Sequence, residues 1–467
     1  MSAPGPFTEL LLRRGAEIRS QIQQQGLKMP FTEVLELHTG DLQAMRQKPI
    51  TFLRQVSAAC TYSPLLNDPT LPSDVKQRAR TILASCPGNS IGCYGEAGGI
   101  LVVRNSVAKY LEQRDGGIPA DPENIFLFNG TLRGLSFILK FLMATYNSER
   151  TGILVPVPSS LACRRIITLL GGAALPYQLD EQSGWTVWSE ELRRVQEEGC
   201  VSCRPRVLYV VNPGSPTGHV MDRACMERII RFAADEGLLL LADEGHPGDV
   251  YSGSLQLLSF KRVLHEMGPE FSSVVEFMSF NSISKGHIGE SGVRGCYMEV
   301  LNVDPTVLSH FRSMVATFVT CSLPAQIAME VATNPPDPGD PSYPLFQAEK
   351  QESVGKLAAK SQLTEEMLNR VPGMHCAPIH SGIYAFPRIE LPARAREVSA
   401  ALGQPPDVFY CLRLLQDTGY LLAPGEEFGQ KDGTAHFRMT FAVPIKELTL
   451  ALEKIVDFHQ RFIAEFS

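Results

Sequence analysis

Short apolar runs that alternate with helical patterns limit what this chain can fold into more than any other feature. The runs are Ile125-Phe126-Leu127-Phe128 and residues 152–155, 207–211, 238–242 and 274–280, all between Asp121 and about Asn302. Several are apolar at every position, as strands covered on both faces must be. Between the third and fourth runs, residues 223–234 carry Met226, Ile229, Ile230 and Ala233 at helical spacing. Strand, helix and strand in that order predict a mostly parallel sheet with helices on both sides.

The pattern then changes. Pro335-Pro336-Asp337-Pro338-Gly339-Asp340-Pro341 reads as a linker or exposed loop. After it the sequence predicts a long helix over 346–368, strands over 382–386, 420–423 and 436–441, and a closing helix over 445–462. Strands separated by helices and loops describe a smaller α+β domain. Near the N-terminus, 8–24 reads as a helix with Leu10, Leu11 and Ile18 toward one side. The expected division is an N-terminal arm that is part of the small domain (1–60), a large α/β domain (61–335) and a C-terminal small domain (336–467).

A chain of 467 residues buries a large core. Its net charge of −7 and pI near 5.9 argue against a nucleic-acid or anionic-membrane surface. No apolar run reaches the roughly 18 residues of a membrane span; the stretch 135–144 is interrupted by Lys140. Eleven scattered cysteines, an odd number, do not form a secreted disulfide framework. Cys200 and Cys203 make one CxxC with no second pair, so no metal site is expected. Glu9 and Glu17 among Arg13, Arg14 and Arg19 speak against a mitochondrial presequence, and the apolar core of a secretory signal is absent. The expected compartment is the cytosol.

Candidate chemistry gathers where apolar runs end, which is where open α/β sheets bind ligands. Ser282-Ile283-Ser284-Lys285 follows the run 274–280, with Arg294 nine residues on and Asp243 at the end of the run 238–242. An amine delivered into a donor-rich loop suits capture of a carbonyl cofactor. Pyridoxal phosphate requires an amine for its aldehyde, a carboxylate for its ring nitrogen, and donors plus an arginine for its phosphate. Lys285, Asp243, Ser282 and Arg294 provide one of each. Asp243 is either solvated or partners a buried cation. At an effective dielectric of about 20, charges roughly 4 Å apart interact by about 4 kcal/mol, about three pKa units. Asn129-Gly130-Thr131-Leu132 lies between a strand and a helix, where free amides favour phosphate. Asn212-Pro213-Gly214-Ser215-Pro216-Thr217-Gly218 is a rigid turn. Arg438, flanked by apolar residues, is either paired structurally or clamps a substrate carboxylate.

Together these segments resemble the alanine aminotransferases, a branch of the fold type I pyridoxal-phosphate enzymes, from about Lys28 onward. Three further strings carry the likeness: Pro49-Ile50-Thr51-Phe52-Leu53-Arg54-Gln55-Val56, Arg114-Asp115-Gly116-Gly117-Ile118-Pro119-Ala120-Asp121-Pro122 and Phe346-Gln347-Ala348-Glu349-Lys350-Gln351. The resemblance implies a seven-stranded, mostly parallel sheet in the large domain, a homodimer with sites between subunits, and amino transfer from alanine to 2-oxoglutarate. It makes Lys285 the Schiff-base lysine and proton carrier, and sets Asp243 against the pyridine nitrogen. Ser282, Arg294, Gly130, Thr131 and Leu132 hold the phosphate, which Tyr94 reaches from the other subunit. Gly40 lies near the substrate, and Arg438 clamps its carboxylate.

Four positions depart from the family. Ser215 stands for the second asparagine of Asn-Pro-Gly-Asn-Pro-Thr-Gly, and His246 for a tyrosine; in the family these two side chains bond the cofactor's ring oxygen. Ser160 replaces a tyrosine over the ring, and Gly130-Thr131-Leu132-Arg133 replaces Gly-Ala-Ser-Asp. A lost hydrogen bond to a charged group costs about 1.5–3 kcal/mol, and a lost stacked aromatic about 0.5–1.5 kcal/mol. Two other readings therefore stay open: a cofactor-binding paralogue with weak or no turnover, and a transaminase for another small donor such as glycine with glyoxylate.

Overall fold

The computed structural model describes residues 5–25, 28–143, 149–245, 250, 251, 255, 257–318 and 321–467. Its centre is a seven-stranded sheet. In chain order the strands are β1 (Ile125–Phe128), β2 (Thr151–Val157), β3 (Ala173–Gln178), β4 (Arg204–Val211), β5 (Leu239–Asp243), β6 (Phe277–Ser282) and β7 (Cys296–Leu301). Across the sheet they run β1-β7-β6-β5-β4-β2-β3. Only β7 is antiparallel to its neighbours.

All five apolar runs lie on these strands or overlap them, although 274–280 starts early and the strand itself is Phe277–Ser282. Two strands lack a comparable signal. β3 is an edge strand with Pro176 and a half-exposed face, so it needs no continuous apolar run. β7 carries Glu299 mid-strand, fully buried because the Lys261 ammonium bonds it at 2.6 Å.

The period of two along each strand divides the core into two layers. Val207, Tyr209, Leu239, Leu241, Met278 and Phe280 face one side, packed with Phe137, Ile138 and Phe311 from the helices Thr131–Met143 and Pro305–Phe318. Leu208, Val210, Leu240, Ala242 and Phe277 face the other, against Met226, Ile229 and Ile230 of the helix Arg223–Asp235. Each such side chain contributes about 1.5–3 kcal/mol on burial. The same alternation sends Asp243 and Ser282 to the first face and Glu244 to the second.

A second core joins Leu11, Ile18, Leu37 and Met45 to residues between Leu357 and Phe466. It surrounds the helices Tyr343–Asn369, Pro406–Thr418 and Ile445–Phe466. Tyr384–Ala385, Phe437–Thr440 and Ala423–Pro424 form its antiparallel sheet. The N-terminal segment enters here: Leu35–Glu36 pairs in parallel with Tyr420–Leu421, and Thr440 donates its N–H to the Leu37 carbonyl at 2.8 Å. Gly40 is thereby carried from this sheet to the loop after β6. Two of the strings that carry the family likeness also meet, since Glu349 accepts the Thr51 N–H at 2.9 Å.

Candidate active site

The carboxyl ends of β1, β2, β4, β5 and β6 open into a chamber of about 230 Å³. Lys285, Asp243, Ser282, Arg294, Thr131, Leu132, Ser160 and Ser215 all line it. It shares Lys285, Arg294, Ser160 and Ser215 with an outer cavity of about 620 Å³ that reaches Gly40, His38, Tyr384, Phe428 and Arg438.

Lys285 sits three residues past the end of β6, and its ammonium donates to the Gly40 carbonyl. The buried Gly40 carbonyl, and not a carboxylate, is the acceptor that holds the amine in the cavity. Gly40 is required sterically, because a Cβ there would run into the Tyr384 hydroxyl and stand 2.7 Å from Lys285 Nζ.

Asp243 ends β5, paired across to Val211 on one side and Phe280 on the other. Burial raises its pKa; the Tyr209 hydroxyl, donating at 2.9 Å, and the Gly245 N–H oppose that shift. Two neutral donors and no cation leave the carboxylate poised for a positive partner inside the chamber. Its neighbour Glu244, on the opposite face, is pushed up to about 7 by burial, against the pull of Arg114.

An anion-binding corner lies at the start of the helix Thr131–Met143, whose first N–H groups have no intrahelical acceptor. Gly130 has φ +93°, and a Cβ on it would strike the Arg294 guanidinium. Arg294 is fixed by donation from Nη1 to the Ser291 carbonyl at 2.9 Å. Ser282 Oγ accepts the Ser284 N–H at 3.1 Å. The Thr131 hydroxyl contacts the Cys296 thiol on β7, so the hydroxyl at this corner is already engaged within the protein.

In the outer cavity Arg438 lies between two rings, its guanidinium carbon 4.2 Å from the Tyr384 centroid and 4.5 Å from that of Phe428. Nη2 donates to the His38 carbonyl at 2.6 Å, and the buried Nε has no hydrogen-bond partner. Burial lowers its pKa, with Tyr384 and Glu427 opposing. The His38 imidazole beside it is pushed down to about 4 by burial, so it is neutral near pH 7 and does not compete for an anion.

Of the residues singled out from sequence, Lys285, Asp243, Ser282, Arg294, Gly130, Thr131, Leu132 and Ser215 meet in or beside the inner chamber, and Gly40 and Arg438 join it through the outer cavity. Tyr94 does not approach the site of its own chain; it is 94% exposed. His246 lies outside the described residues. Ser160, at the start of the helix Leu161–Leu169, spends its hydroxyl on the Ala162 N–H at 3.4 Å and lines both cavities. Sequence reading missed Tyr209, Tyr384, Phe428 and His38. Tyr209 carried a usable signal, since it shares a strand face with Asp243 one strand away. The other three come from segments outside the seven-stranded sheet and have no local signature.

The chamber suits pyridoxal phosphate. An amine, a buried carboxylate bonded by neutral donors and an arginine beside a helix N-terminus stand around one volume, and a Cβ on Gly130 would strike that arginine. A parallel α/β sheet with this donor set defines a fold type I pyridoxal-phosphate enzyme. The comparisons narrow the class. The model of "Aminotransferase class I and II" matches residues 61–455, and the chain belongs to that family. Alanine aminotransferase 2 of Xenopus tropicalis is 48% identical over 454 residues, covering 97% of this chain and 86% of the relative. Human alanine aminotransferase 1 is 46% identical over 457 residues, covering 98% and 92%. Among solved structures, an alanine aminotransferase from Pyrococcus furiosus superposes with a TM-score of 0.74 at 19% identity, covering 98% of this chain and 100% of its own. That last likeness speaks for the fold.

Proposed function

We propose that this chain is an alanine aminotransferase, moving an amino group between L-alanine and 2-oxoglutarate to give pyruvate and L-glutamate. One observation carries the reading: a continuous cavity joins Lys285, Asp243 and Arg294 at one end to a partnerless face of Arg438 at the other. The alanine aminotransferases at 46–48% identity support alanine as the donor.

Bound pyridoxal phosphate supplies a carbonyl carbon that accepts the amino group and a ring that takes up the electron pair released at the substrate Cα. The chain does the rest. Arg438 holds the substrate carboxylate, and the flanking rings restrict the guanidinium to one plane. Lys285 Nζ takes the proton from Cα and returns it one carbon away, within the same small volume. Asp243 holds a proton on the ring nitrogen by charge. Arg294, Ser282 and the turn Gly130-Thr131-Leu132 would hold the phosphate, and the family resemblance assigns Ser215 and His246 to the ring oxygen.

We assign Tyr94 to the site of a second subunit; its near-complete exposure supports a homodimer. The division into 1–60, 61–335 and 336–467 is supported by the core that Leu11, Leu37 and Met45 share with the C-terminal helices. We place the protein in the cytosol, a reading that eleven free cysteines support. Among the described residues, no helix is long and apolar enough to cross a membrane.

Half-reaction spectroscopy tests the function. L-alanine added to the purified yellow protein converts the bound aldehyde's visible absorption to that of the pyridoxamine form within the mixing experiment, and 2-oxoglutarate restores it. A spectrum indifferent to alanine and glutamate establishes the non-catalytic paralogue instead, and one responsive only to glycine changes the donor. The Arg438→Ala enzyme shows a KM for both alanine and 2-oxoglutarate raised about 10²-fold or more, as expected for a charge-assisted bidentate contact of roughly 3 kcal/mol. Steady-state kinetics check this, and an unchanged KM removes Arg438 from the clamp.

A further inference from the structure

Tyr384 stands where the two ends of the cavity meet. Its strand pairs with the Arg438 strand so that Tyr384 lies opposite Thr440, making Tyr384 and Arg438 diagonal neighbours on one face. The ring covers the Arg438 guanidinium at 4.2 Å, closer than Phe428 on the other side. The hydroxyl points the other way, onto Gly40, and occupies the same small volume at that α-carbon as Lys285 Nζ. The segment His38-Thr39-Gly40 ties the halves together, since His38 accepts from Arg438 and Gly40 accepts from Lys285.

We propose that Tyr384 serves amino transfer twice: its ring positions Arg438 for the substrate carboxylate, and its hydroxyl, beside the Lys285 amine, takes part in the proton movement that this amine carries out. The proposal rests on the transaminase reading above. A cation held between two aromatic faces loses rotational freedom before substrate arrives, so binding has less disorder to remove. A hydroxyl at the lysine can accept a hydrogen bond from its charged form and donate one to its neutral form. It therefore follows the proton in both directions without moving the backbone. The charged groups that share the lysine's surroundings are Asp243 and Arg294 within the chamber, and Asp41, Glu36, Glu427 and Arg438 in the outer cavity. None of these is a neutral donor and acceptor.

Two substitutions separate the roles in the holoenzyme. Tyr384→Leu removes the ring: the KM for amino acid and oxo acid rises about tenfold, and so does the calorimetric Kd of propionate, which has the carboxylate and no amine. Tyr384→Phe keeps the ring and removes the hydroxyl: KM and propionate Kd stay within twofold of wild type while kcat falls about tenfold. Cofactor absorption and circular dichroism are read on both variants to establish that each is folded and loaded. An unchanged propionate Kd in folded Tyr384→Leu overturns the ring's role, and an unchanged kcat in Tyr384→Phe overturns the hydroxyl's. Should wild type prefer another amino donor, the substrate reading fails alone, because propionate binding and the kcat split with that donor still decide the case of Tyr384.

Discussion

The Lys285→Ala protein folds, and its transamination from L-alanine falls by about 10⁴-fold or more. Positioned proton transfer alone contributes about 10²–10⁴-fold, and the proposed function gives this amine two tasks, holding the cofactor aldehyde and moving the substrate proton. Among the described residues no other lysine lines either cavity, so no neighbouring amine there can take over. The other cations of the cavities are guanidinium groups, which do not act as bases. Folding is preserved because the side chain lies in a water-accessible cavity, where it bonds the Gly40 carbonyl. The measurement is pyruvate formation against wild type, together with mass analysis of borohydride-treated, digested protein. Wild type carries a cofactor adduct on the peptide containing Lys285 and the variant carries none. Wild-type turnover in the variant would show that the amine has been misassigned.

Asp243→Asn has the next largest effect, a loss of about 10³-fold in kcat with alanine. The substitution keeps the shape, and its one amide oxygen can still accept from the Tyr209 hydroxyl, so the main thing it removes is charge. Facing a protonated ring nitrogen roughly 4 Å away, that charge is worth about 4 kcal/mol at an effective dielectric of about 20, and each 1.4 kcal/mol is about tenfold in rate. In the protein alone, burial raises the carboxylate's pKa. A cation arriving in the chamber reverses that direction, so binding the protonated ring and ionising Asp243 favour one another. Cofactor affinity of the variant, read by fluorescence on re-addition to the apoprotein, weakens in step with the rate. A kcat within threefold of wild type would remove Asp243 from the ring nitrogen.

Much of this site was legible because its residues follow strands. Asp243, Ser282 and Gly130 each end a strand or follow one within two residues, and the period of two assigns Asp243 and Ser282 to one face once the strands are placed. Arg438 stood out as a cation flanked by apolar residues, although the sequence left a structural pairing equally open. The buried, partnerless Nε now favours the clamp. Strand limits were less legible. The expected strand 382–386 shortens to Tyr384–Ala385, where pairing with Phe437–Thr440 ends. β7 was hidden because its buried Glu299 is neutralised by Lys261, which lies 38 residues away in sequence.

Sequence by itself determined five of the seven strands, the helical cover and the amine, acid and arginine at the carboxyl edge, because periodicity and strand-end chemistry are properties of neighbouring residues. Tertiary structure alone decided what surrounds them. The Gly40 carbonyl under Lys285, the Tyr384 and Phe428 rings around Arg438 and the Tyr209 hydroxyl on Asp243 arrive from positions 10 to 245 residues away. Such contacts exist only after the two cores have closed on each other, since a hydrogen bond or a stacked ring depends on distance in space and leaves no period along the chain.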